Sequence, residues 1–362
     1  MTVKRIGVLT AGGDCPGLNA VLRAVVKSAV TEHGIEIIGF YDGYEGLVTN
    51  KYKHLSFNDV SGIITKGGTV LGTSNTANPY RFPYKKKGKL IIEDRSKEAI
   101  KNYKELGLEA LVCIGGDGSQ SIAYKLYKDG INVIGVPKTI DNDLIGTDRT
   151  FGFDTAVSIV TEAIDRLHTT AESHHRVIIV EVMGRYAGWI ALHSGIAGGG
   201  DIILLPEMPY EITKILQVLK DRQNKGRLFT IIVISEGAKP KGGRFSVQKI
   251  INESTDPVRL GGAGMKLADD LEKLTAKECR VVVLGHLQRG GTPTAYDRIL
   301  ASEFGYEAIN MAVKKKFGCM VGSRGGKLVY VSLEKIAGKT KNVSKNHELV
   351  RTAKAFGVSF GV

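Results

Sequence analysis

Cysteine is scarce in this sequence, and the few cysteines lie too far apart to act together. Of the 362 residues, four are cysteines, and no two of them form a CxxC pair. This spacing argues against a disulfide framework, a zinc site and a thioredoxin-type redox motif. We therefore expect four reduced thiols, namely Cys15, Cys113, Cys279 and Cys319.

Long apolar runs are also missing. No segment approaches the roughly 18 uninterrupted apolar residues of a transmembrane helix, and the amino terminus leads into a strand-like segment without a signal-peptide cleavage pattern. We therefore expect a soluble, cytoplasmic protein without a membrane partner. Hydrophobic residues make up 43% and charged residues 24%, a globular balance that excludes a disordered or fibrous chain. The length favours two domains of ordinary size.

Basic charge is present in excess. The chain has 50 Lys and Arg residues against 37 Asp and Glu residues, a net charge of +13 that suits nucleic acid, a membrane surface or small anions. The lysine runs at 85–87 and 314–316 are short and lack interleaved aromatic residues, so we expect no nucleic-acid partner. Arginines beside glycine, in MGR (183–185) and LQRGG (287–291), indicate phosphate recognition, because a guanidinium group binds phosphate through paired hydrogen bonds.

Short runs rich in valine and isoleucine alternate with amphipathic segments, a pattern typical of parallel sheets covered on both faces. We predict an α/β protein with two doubly wound, mostly parallel-sheet, Rossmann-like domains and the active site between them. The predicted strands lie at 5–10, 36–41, 110–116, 132–137, 176–182, 201–207, 229–236 and 280–286, and the predicted helices include 154–169, 210–224 and 259–275. The segment 67–89 is predicted to be an irregular loop that acts as a lid or binds a ligand, and a mobile surface insertion with no role is the alternative.

Polar residues and glycines follow the predicted strands where each strand ends. Ligands bind at the carboxyl edge of parallel sheets, so we expect these residues to converge. In AGGDCPG (11–17), the glycines leave backbone N–H groups free at a helix start, where an anion is stabilised. The spacing is neither GxGxxG nor GxxxxGK[ST]. GGDGSQ (115–120) adds Asp117, which suits Mg²⁺ held against phosphates, although a tight turn with a capping Asp is the alternative.

A second acidic motif, PKTIDND (137–143), places Asp141 and Asp143 two residues apart, with Lys138 and Thr139 before them. In a kinase-like centre, one carboxylate takes the proton of an attacking hydroxyl while the other orients it or the metal. By itself, the Asp-Asn-Asp sequence is equally compatible with a turn. The histidines lack zinc-site spacing, and we expect His286 to contact the substrate.

Together these motifs resemble the 6-phosphofructokinase family, and they occur in the family's order from residue 5 to about residue 310. The motifs are AGGDCPGLNAVLR, YDGYEGL, IGGDGS, TIDND, GFDTA, EAIDRL, EVMGRYAGW, IAGGGD and VLGHLQRGGTPTAYDRILA. The resemblance implies ATP-dependent phosphorylation of fructose 6-phosphate at O1, a step of glycolysis, with Mg²⁺ and a homodimer or homotetramer whose subunits share active sites. It also implies a donor domain of 1–151 plus about 288–338 and a fructose 6-phosphate domain of 152–287 plus about 339–362.

The resemblance assigns roles to individual residues. Asp141 is implied to be the base, beside Thr139 and Asp143, and Arg185 is implied to stabilise charge on the transferring group. The implied sugar-phosphate contacts are Met183, Gly184, Arg185, Glu236, His286 and Arg289, together with Arg176 and Arg280 from a neighbouring subunit. The implied nucleotide contacts are Gly12, Tyr44, Gly116, Gly118 and Ser119, with Asp117 as the metal-binding carboxylate.

Two departures from the family pattern concern the phosphoryl donor. Asn75 stands where many members have Arg, and an insertion follows, so either Arg81 with Phe82 replaces that donor contact or it is absent. Lys138 is usual in pyrophosphate-dependent relatives, which also carry Asp where this chain has Gly118. The sequence resembles a mixed subgroup, and we expect ATP as donor because glycine leaves room for the α-phosphate. Pyrophosphate is the alternative.

Single features of the sequence leave more distant alternative functions open. GGDG also occurs in NAD kinases and diacylglycerol kinases, although TIDND and MGR argue against those enzymes. The hypothesis of a nucleic-acid-binding protein rests on the net charge alone. The hypothesis of a dehydrogenase is not supported, because the sequence lacks the GxGxxG motif.

Overall fold

The computed structural model describes residues 3–250, 258–275 and 277–362. Within these ranges, 3-10 helices form at Pro79–Arg81 and Gly285–Arg289. The strands are β1 (Arg5–Thr10), β2 (Glu36–Phe40), β3 (Tyr52–Leu55), β4 (Phe82–Lys86), β5 (Lys89–Glu93), β6 (Ala110–Gly115), β7 (Val133–Pro137), β8 (Val177–Val182), β9 (Ile202–Leu204), β10 (Thr230–Ser235), β11 (Val247–Ile250), β12 (Val258–Leu260), β13 (Cys279–Val283), β14 (Cys319–Arg324) and β15 (Lys327–Ser332). The α-helices are α1 (Leu18–His33), α2 (Tyr44–Thr49), α3 (Ser96–Glu105), α4 (Asp117–Lys128), α5 (Phe153–His174), α6 (Trp189–Ala197), α7 (Ile212–Asn224), α8 (Ala263–Leu274), α9 (Ala295–Val313), α10 (Leu333–Ile336) and α11 (Glu348–Ala355).

Two sheets organise the chain. The larger has seven strands in the order β15-β14-β7-β6-β1-β2-β3, with parallel pairing from β14 to β2 and antiparallel strands at both edges. The smaller has four parallel strands in the order β13-β8-β10-β9. The central strands are apolar along their whole length because both of their faces are covered, and every residue of β6 is buried.

Helices cover both faces of each sheet. The space between the sheets is filled by α1, α5, α6 and α9, and one continuous apolar cluster runs from Val8 in β1 to Val180 in β8. The outer face of the larger sheet packs against α2, α3 and α4, and that of the smaller sheet against α7 and α8. The predicted α/β fold with doubly wound, mostly parallel sheets is confirmed.

Each of the eight predicted strands overlaps a strand of the structure, although 201–207 is extended only over Ile202–Leu204 and β13 begins one residue before the predicted strand 280–286. The prediction for 67–89 was wrong from residue 79 onward. There a 3-10 turn leads into a hairpin of β4 and β5, whose two-residue turn, Lys87-Gly88, has φ values of 50° and 78°. Within the described ranges, none of the helices is long and apolar enough to cross a membrane.

Candidate active site between the two sheet edges

Two sheet edges face each other across the candidate site. The carboxyl ends of β1, β6 and β7 lie on one side, and the segments after β8, β10 and β13 lie on the other. Nη1 of Arg289 donates a 2.9 Å hydrogen bond across the gap to the carbonyl oxygen of Asp14. Nη1 of Arg185 lies 4.0 Å from Oδ1 of Asp117. Residues from distant parts of the sequence therefore converge here, as the strand-end pattern predicts.

The loop after β1 brings backbone, rather than side chains, to this edge. Gly12 has a φ of 81°, which lies in the left-handed region that favours glycine. A Cβ atom at this position would lie 3.3 Å from Oγ of Ser119 and 3.5 Å from Nζ of Lys138. A Cβ atom at Gly13 would overlap the guanidinium group of Arg289. Because neither glycine has a side chain, Ser119, Lys138 and Arg289 can lie close to the loop after β1.

Lys138 is a buried cation beside this loop. Its side chain donates a hydrogen bond from Nζ to the carbonyl oxygen of Gly13, and the residue is 3% exposed. Burial lowers the pKa of its ammonium group, and the charge of Arg289 lowers it further, whereas Cys15 and Asp141 act in the opposite direction. An ammonium group has three donors, so a phosphate oxygen is a suitable further acceptor.

The amino end of α4 forms the next part of the site. Gly116 precedes the helix, and Asp117, Gly118 and Ser119 form its first turn, where backbone N–H groups lack partners within the helix. These groups and the helix dipole favour an anion. Tyr44 is buried, and its hydroxyl donates a 2.8 Å hydrogen bond to the carbonyl oxygen of Ser119. Tyr44 therefore supports the first turn from behind.

The segment after β7 holds the acidic pair in a fixed loop. The backbone N–H of Asp141 donates to Oγ1 of Thr139 (3.0 Å), and Oγ1 of Thr150 donates to the carbonyl oxygen of Thr139 (2.7 Å). Asn142 has a φ of 51°, and its Oδ1 accepts a hydrogen bond from the backbone N–H of Thr150 (3.1 Å). These bonds form a compact turn that leaves the carboxyl groups of Asp141 and Asp143 for other partners.

Both carboxyl groups keep an unused oxygen. Asp141 is 4% exposed and Asp143 is 6% exposed, and among the described residues Oδ1 of each has no hydrogen-bond partner. Burial, and then the negative charges of Asp141 and Asp117, raise the pKa of Asp143 to about 8, while Arg185 opposes the rise. Asp143 therefore favours its protonated form more than an ordinary carboxyl group does. An unpaired buried oxygen is costly, so this arrangement is suited to a polar ligand.

The segment after β8 presents Arg185 to the acidic pair. Gly184 and Arg185 both have positive φ values, 136° and 52°. The backbone N–H of Arg185 donates a 3.0 Å hydrogen bond to Oε1 of Glu236, and a Cβ atom at Gly237 would overlap the carbonyl oxygen of Arg185. Burial, with the charge of Asp141, raises the pKa of Glu236 to about 7, although the hydrogen bond from Arg185 opposes this. Glu236 thus titrates near neutral pH.

The 3-10 turn after β13 completes this side. Gln288 is fully buried; its Oε1 accepts from the backbone N–H of Met183 (3.3 Å), and its Nε2 donates to the carbonyl oxygen of Gly285 (3.1 Å). His286 is exposed at the same turn. Gln288 therefore ties the positions of His286 and Arg289 to the Met183 loop.

Two predicted phosphate ligands lie elsewhere. Arg176 precedes β8, and Arg280 lies near the amino end of β13, so both are at the edge of the smaller sheet opposite to the candidate site. They flank Glu278, which accepts a 2.6 Å hydrogen bond from Nε of Arg176 and a close one from Arg280. A strand of six residues spans roughly 20 Å, which separates this pair from the site of its own chain.

Of the two residues predicted to replace the missing donor contact, Arg81 and Phe82, one is accessible to a ligand. Phe82 is 5% exposed and belongs to the apolar core on the outer face of the larger sheet, with Arg95 stacked over its ring at 5.5 Å. Arg81 is exposed at the end of the 3-10 turn. Phe82 is therefore a core residue, and Arg81 is the member of the pair that a ligand can reach.

The sequence did not indicate that Lys341 contacts the acidic loop. Nζ of Lys341 donates to Oδ1 of Asn142 (3.2 Å), and its backbone N–H donates to the carbonyl oxygen of Asp143 (2.7 Å). The sequence around it, GKTKN, carries no motif, and its partners are about 200 residues away in the chain, so only the structure reveals the contact.

The residues present fit a magnesium ion that arrives with phosphates. Within the described residues, no group of three or more His, Cys, Asp or Glu side chains is arranged to hold a metal by itself. Asp117 is 40% exposed at the amino end of α4, close enough to Asp143 to raise its pKa, and Asp143 keeps a free buried oxygen. Mg²⁺ commonly uses one or two carboxylates, waters and substrate phosphates, which this donor set allows.

Comparison with known proteins identifies relatives along nearly the whole chain. The Phosphofructokinase family model matches residues 5–312. Over 360 residues, the chain is 54% identical to ATP-dependent 6-phosphofructokinase 2 of Clostridium perfringens, covering 99% of this chain and 98% of the relative. Over 339 residues, it is 50% identical to the pyrophosphate–fructose 6-phosphate 1-phosphotransferase of Amycolatopsis mediterranei, covering 94% of this chain and 96% of the relative.

A solved structure gives a similar result for the fold. The crystal structure of Pichia pastoris phosphofructokinase in the T-state superposes with a TM-score of 0.79 at 30% identity. The match covers 93% of this chain, which spans 35% of that longer chain. The two sequence relatives have similar identities to this chain, yet their names give different phosphoryl donors. Overall identity therefore does not select the donor.

Proposed function

Because the chain belongs to the phosphofructokinase family, we propose that it transfers the γ-phosphoryl group of ATP to O1 of fructose 6-phosphate and so produces fructose 1,6-bisphosphate. Its role is a step of glycolysis, in the cytoplasm. The observation that carries this proposal is the juxtaposition of two buried carboxylic acids, each with an unused oxygen, with an anion-binding helix start and Arg185. A sugar hydroxyl suits the two carboxylic acids, and a phosphoryl group suits the helix start and Arg185.

Asp141 is the proposed general base. Its carboxylate is buried and Oδ1 is free, so it is available to accept the proton of the sugar 1-hydroxyl as the hydroxyl attacks. Thr139 holds the backbone of Asp141 through the 3.0 Å bond. Among the described residues Oδ1 of Asp143 has no partner, so it is available to orient the sugar hydroxyl or the metal.

Arg185 and Lys138 are the proposed cations for the transferring group. Charge spreads over the phosphoryl oxygens in the transition state, and catalysis depends largely on positioned donors. Arg185 approaches from the smaller sheet and Lys138 from the larger, so the two flank the gap between the sheet edges. Asp117 would hold Mg²⁺ against the nucleotide phosphates, and the ion would supply charge neutralisation there.

The remaining contacts divide between the two ligands. Gly12, Gly116, Gly118 and Ser119 surround the proposed nucleotide phosphates, with Arg81 as a further contact, and Tyr44 supports them from behind through its bond to the carbonyl oxygen of Ser119. Met183, Gly184, Glu236, His286 and Arg289 surround the proposed sugar phosphate. Apart from Arg289, which lies in the donor range, this division corresponds to the proposed donor domain of 1–151 plus about 288–338 and the proposed acceptor domain of 152–287 plus about 339–362.

A homo-oligomer with shared sites is part of the proposal. Arg176 and Arg280 lie on the face opposite to the site of their own chain, so they contribute to fructose 6-phosphate binding only in a neighbouring subunit. Both are accessible, with side-chain exposures of 26% and 54%. The assembly is a dimer or a tetramer.

ATP is the proposed donor, and pyrophosphate is the second candidate. Gly118 in the first turn of α4 favours ATP, because a carboxylate there would crowd and repel the α-phosphate. Lys138 favours the second candidate, since an ammonium group at this place is able to substitute for contacts that the rest of a nucleotide would make.

The test is the transfer reaction itself. Purified protein, γ-³²P-ATP, Mg²⁺ and fructose 6-phosphate should give labelled fructose 1,6-bisphosphate with the label on O1, and Asp141→Asn should lower the rate strongly. Label that stays on ATP would contradict the proposal.

A further inference from the structure

The segment 340–343 joins the two loops that carry the proposed chemistry. It runs antiparallel beside the acidic loop, with a bridge between Leu144 and Thr340. The backbone N–H of Lys341 donates a 2.7 Å hydrogen bond to the carbonyl oxygen of Asp143. This segment therefore contacts the acidic loop at Asp143 and at the next residue, Leu144.

The Lys341 ammonium group stabilises the same loop from behind. Nζ donates to Oδ1 of Asn142 (3.2 Å), to the carbonyl oxygen of Thr147 (3.0 Å) and to that of Asp148 (3.1 Å). All three of its donors are thus used on one loop. Asn142 needs such support, because it holds a left-handed φ of 51° between the two acidic residues.

Lys341 also binds the opposite side of the site. Its carbonyl oxygen accepts a 2.7 Å hydrogen bond from Nε1 of Trp189, and its Nζ lies 5.5 Å from the centre of that indole ring. Trp189 is the first residue of α6, which follows the Arg185 loop directly. Nearby, Oε1 of Glu207 accepts from the backbone N–H of Val343 (2.8 Å) and of Gly188 (3.0 Å). One short segment therefore fixes both loops.

Burial of the Lys341 ammonium group costs solvation free energy. Desolvation lowers the pKa of Lys341 to about 8, although the charge of Asp143 opposes the shift. A neutral side chain of similar length would fill the space without that cost, yet the carbonyl oxygens of Thr147 and Asp148 would lose this donor, and Oδ1 of Asn142 would lose one of its two donors. The benefit of Lys341 therefore comes from the hydrogen bonds that its ammonium group donates to this loop.

We propose that Lys341 is a positioning residue that fixes the 141–148 loop against the 183–189 loop and so sets the placement of Asp141 relative to Arg185. Placement matters because a shift of about 1 Å in a reacting group is able to cost about 10²-fold in rate. Lys341 does not touch the reacting atoms, and it acts through Asn142, Asp143 and Trp189. This inference rests on the proposed function.

The first test compares Lys341→Met with two matched controls that flank the segment, Lys339→Met and Lys345→Met, which change exposed lysines. We expect Lys341→Met to lower kcat at least 10-fold with less than a 3-fold change in the KM for ATP, and both controls to match the wild type. Lys341→Arg, which keeps the charge and donors, should recover part of the loss. Equal kcat values for Lys341→Met and the wild type would overturn the proposal.

The second test separates positioning from general stability. In the Asp141→Asn background, Lys341→Met should change kcat less than 3-fold, because the group that it positions is already gone. The same fold-loss in both backgrounds would show that Lys341 acts independently of Asp141. Trp189→Phe, which removes the single N–H donor to Lys341 while keeping a ring, should lower kcat in the same direction; an unchanged kcat would count against the link to α6.

A third readout does not depend on activity. Amide hydrogen exchange in the full-length protein should become faster in both 141–150 and 184–189 in Lys341→Met, and in neither segment in Lys339→Met. This result would support the positioning role even if fructose 6-phosphate were not the substrate, whereas failure of the wild type to phosphorylate fructose 6-phosphate would count against the proposed function alone. Unchanged exchange in both segments would overturn the positioning role.

Discussion

Arg185 donates a 3.0 Å hydrogen bond from its backbone N–H to Oε1 of Glu236, and this bond links the loop after β8 to the end of β10. It helps to hold Arg185 at a φ of 52°, with its guanidinium group directed towards Asp117. Glu236 is partly buried, and desolvation raises the pKa of its carboxyl group to about 7, so the same contact that shapes the site also makes stability depend on pH.

Glu236→Gln should reveal that dependence. The pKa of Glu236 is raised in the folded protein from its ordinary value of 4.5 to about 7, so its contribution to stability is complete below pH 4.5 and is lost as the pH rises to 7. Gln keeps the acceptor for Arg185 but carries no charge. The variant should therefore gain on the order of 1 to 3 kcal/mol over the wild type at pH 8 and little at pH 4.5.

Thermal unfolding at the two pH values measures this difference. Glu162→Gln is the control, because Glu162 is exposed on α5 and its change should alter stability little at either pH. A variant that is less stable than the wild type at pH 8 would contradict the expected sign.

Asp141→Asn should lower kcat by about 10² to 10⁴, because a positioned general base commonly contributes that much. Fructose 6-phosphate binding should persist, since asparagine has nearly the same shape and keeps the bond from its backbone N–H to Thr139. Steady-state kinetics with a separate binding measurement tests both parts. Asp148→Asn, at an exposed carboxylate on the same loop, is the matched control. An unchanged kcat would remove Asp141 from the role of base.

Arg176→Ala and Arg280→Ala should weaken fructose 6-phosphate binding far more than ATP binding. Removal of one partner of a charge pair at an interface costs on the order of 2 to 5 kcal/mol. Equilibrium binding of each ligand checks this, with Arg166→Ala as the control because Arg166 is exposed on α5 and pairs only along its own helix with Glu162 in the described contacts. Equal losses for both ligands would argue against a dedicated sugar-phosphate role.

Mixing two inactive variants tests whether subunits share sites. Arg280→Ala and Asp141→Asn place their defects in different parts of a shared site, so hybrid oligomers should contain some intact sites and recover activity. Subunit exchange is followed independently with labelled chains. Demonstrated exchange without any recovery would contradict shared sites.

Much of this structure was predictable because its signals are local. Strands such as β6 are apolar throughout since both faces are buried, and that pattern is visible in sequence. The motifs around Asp117 and Asp141 are likewise contiguous. The β4–β5 hairpin gave no such signal, because Leu90 and Ile92 are 48% and 42% exposed and the flanking lysines are typical of a loop. Propensity therefore predicted the wrong state where no core-facing pattern exists.

Long-range contacts of single residues were not predictable. Lys341 reaches Asn142 and Trp189 through backbone and side-chain groups that are common to many residues, and its neighbours in sequence form no motif. Such relationships depend on topology, which sequence spacing does not specify.

Donor choice should depend on residues 118 and 138 together. Gly118→Asp should sharply reduce ATP use through bulk and like-charge repulsion, with a partial gain of pyrophosphate use that depends on Lys138. The double variant Gly118→Asp, Lys138→Gly should lose both donors. Initial rates with each donor measure this, and a double variant that keeps pyrophosphate activity would contradict the role of Lys138.

The central claim is that this site uses ATP to phosphorylate fructose 6-phosphate, and its most direct measurement is the initial rate of fructose 1,6-bisphosphate formation by the wild type with ATP and with pyrophosphate at equal concentration. The account predicts rapid turnover with ATP and little or none with pyrophosphate. Turnover with pyrophosphate at a rate that matches ATP would contradict it, since Gly118 would then not select the donor.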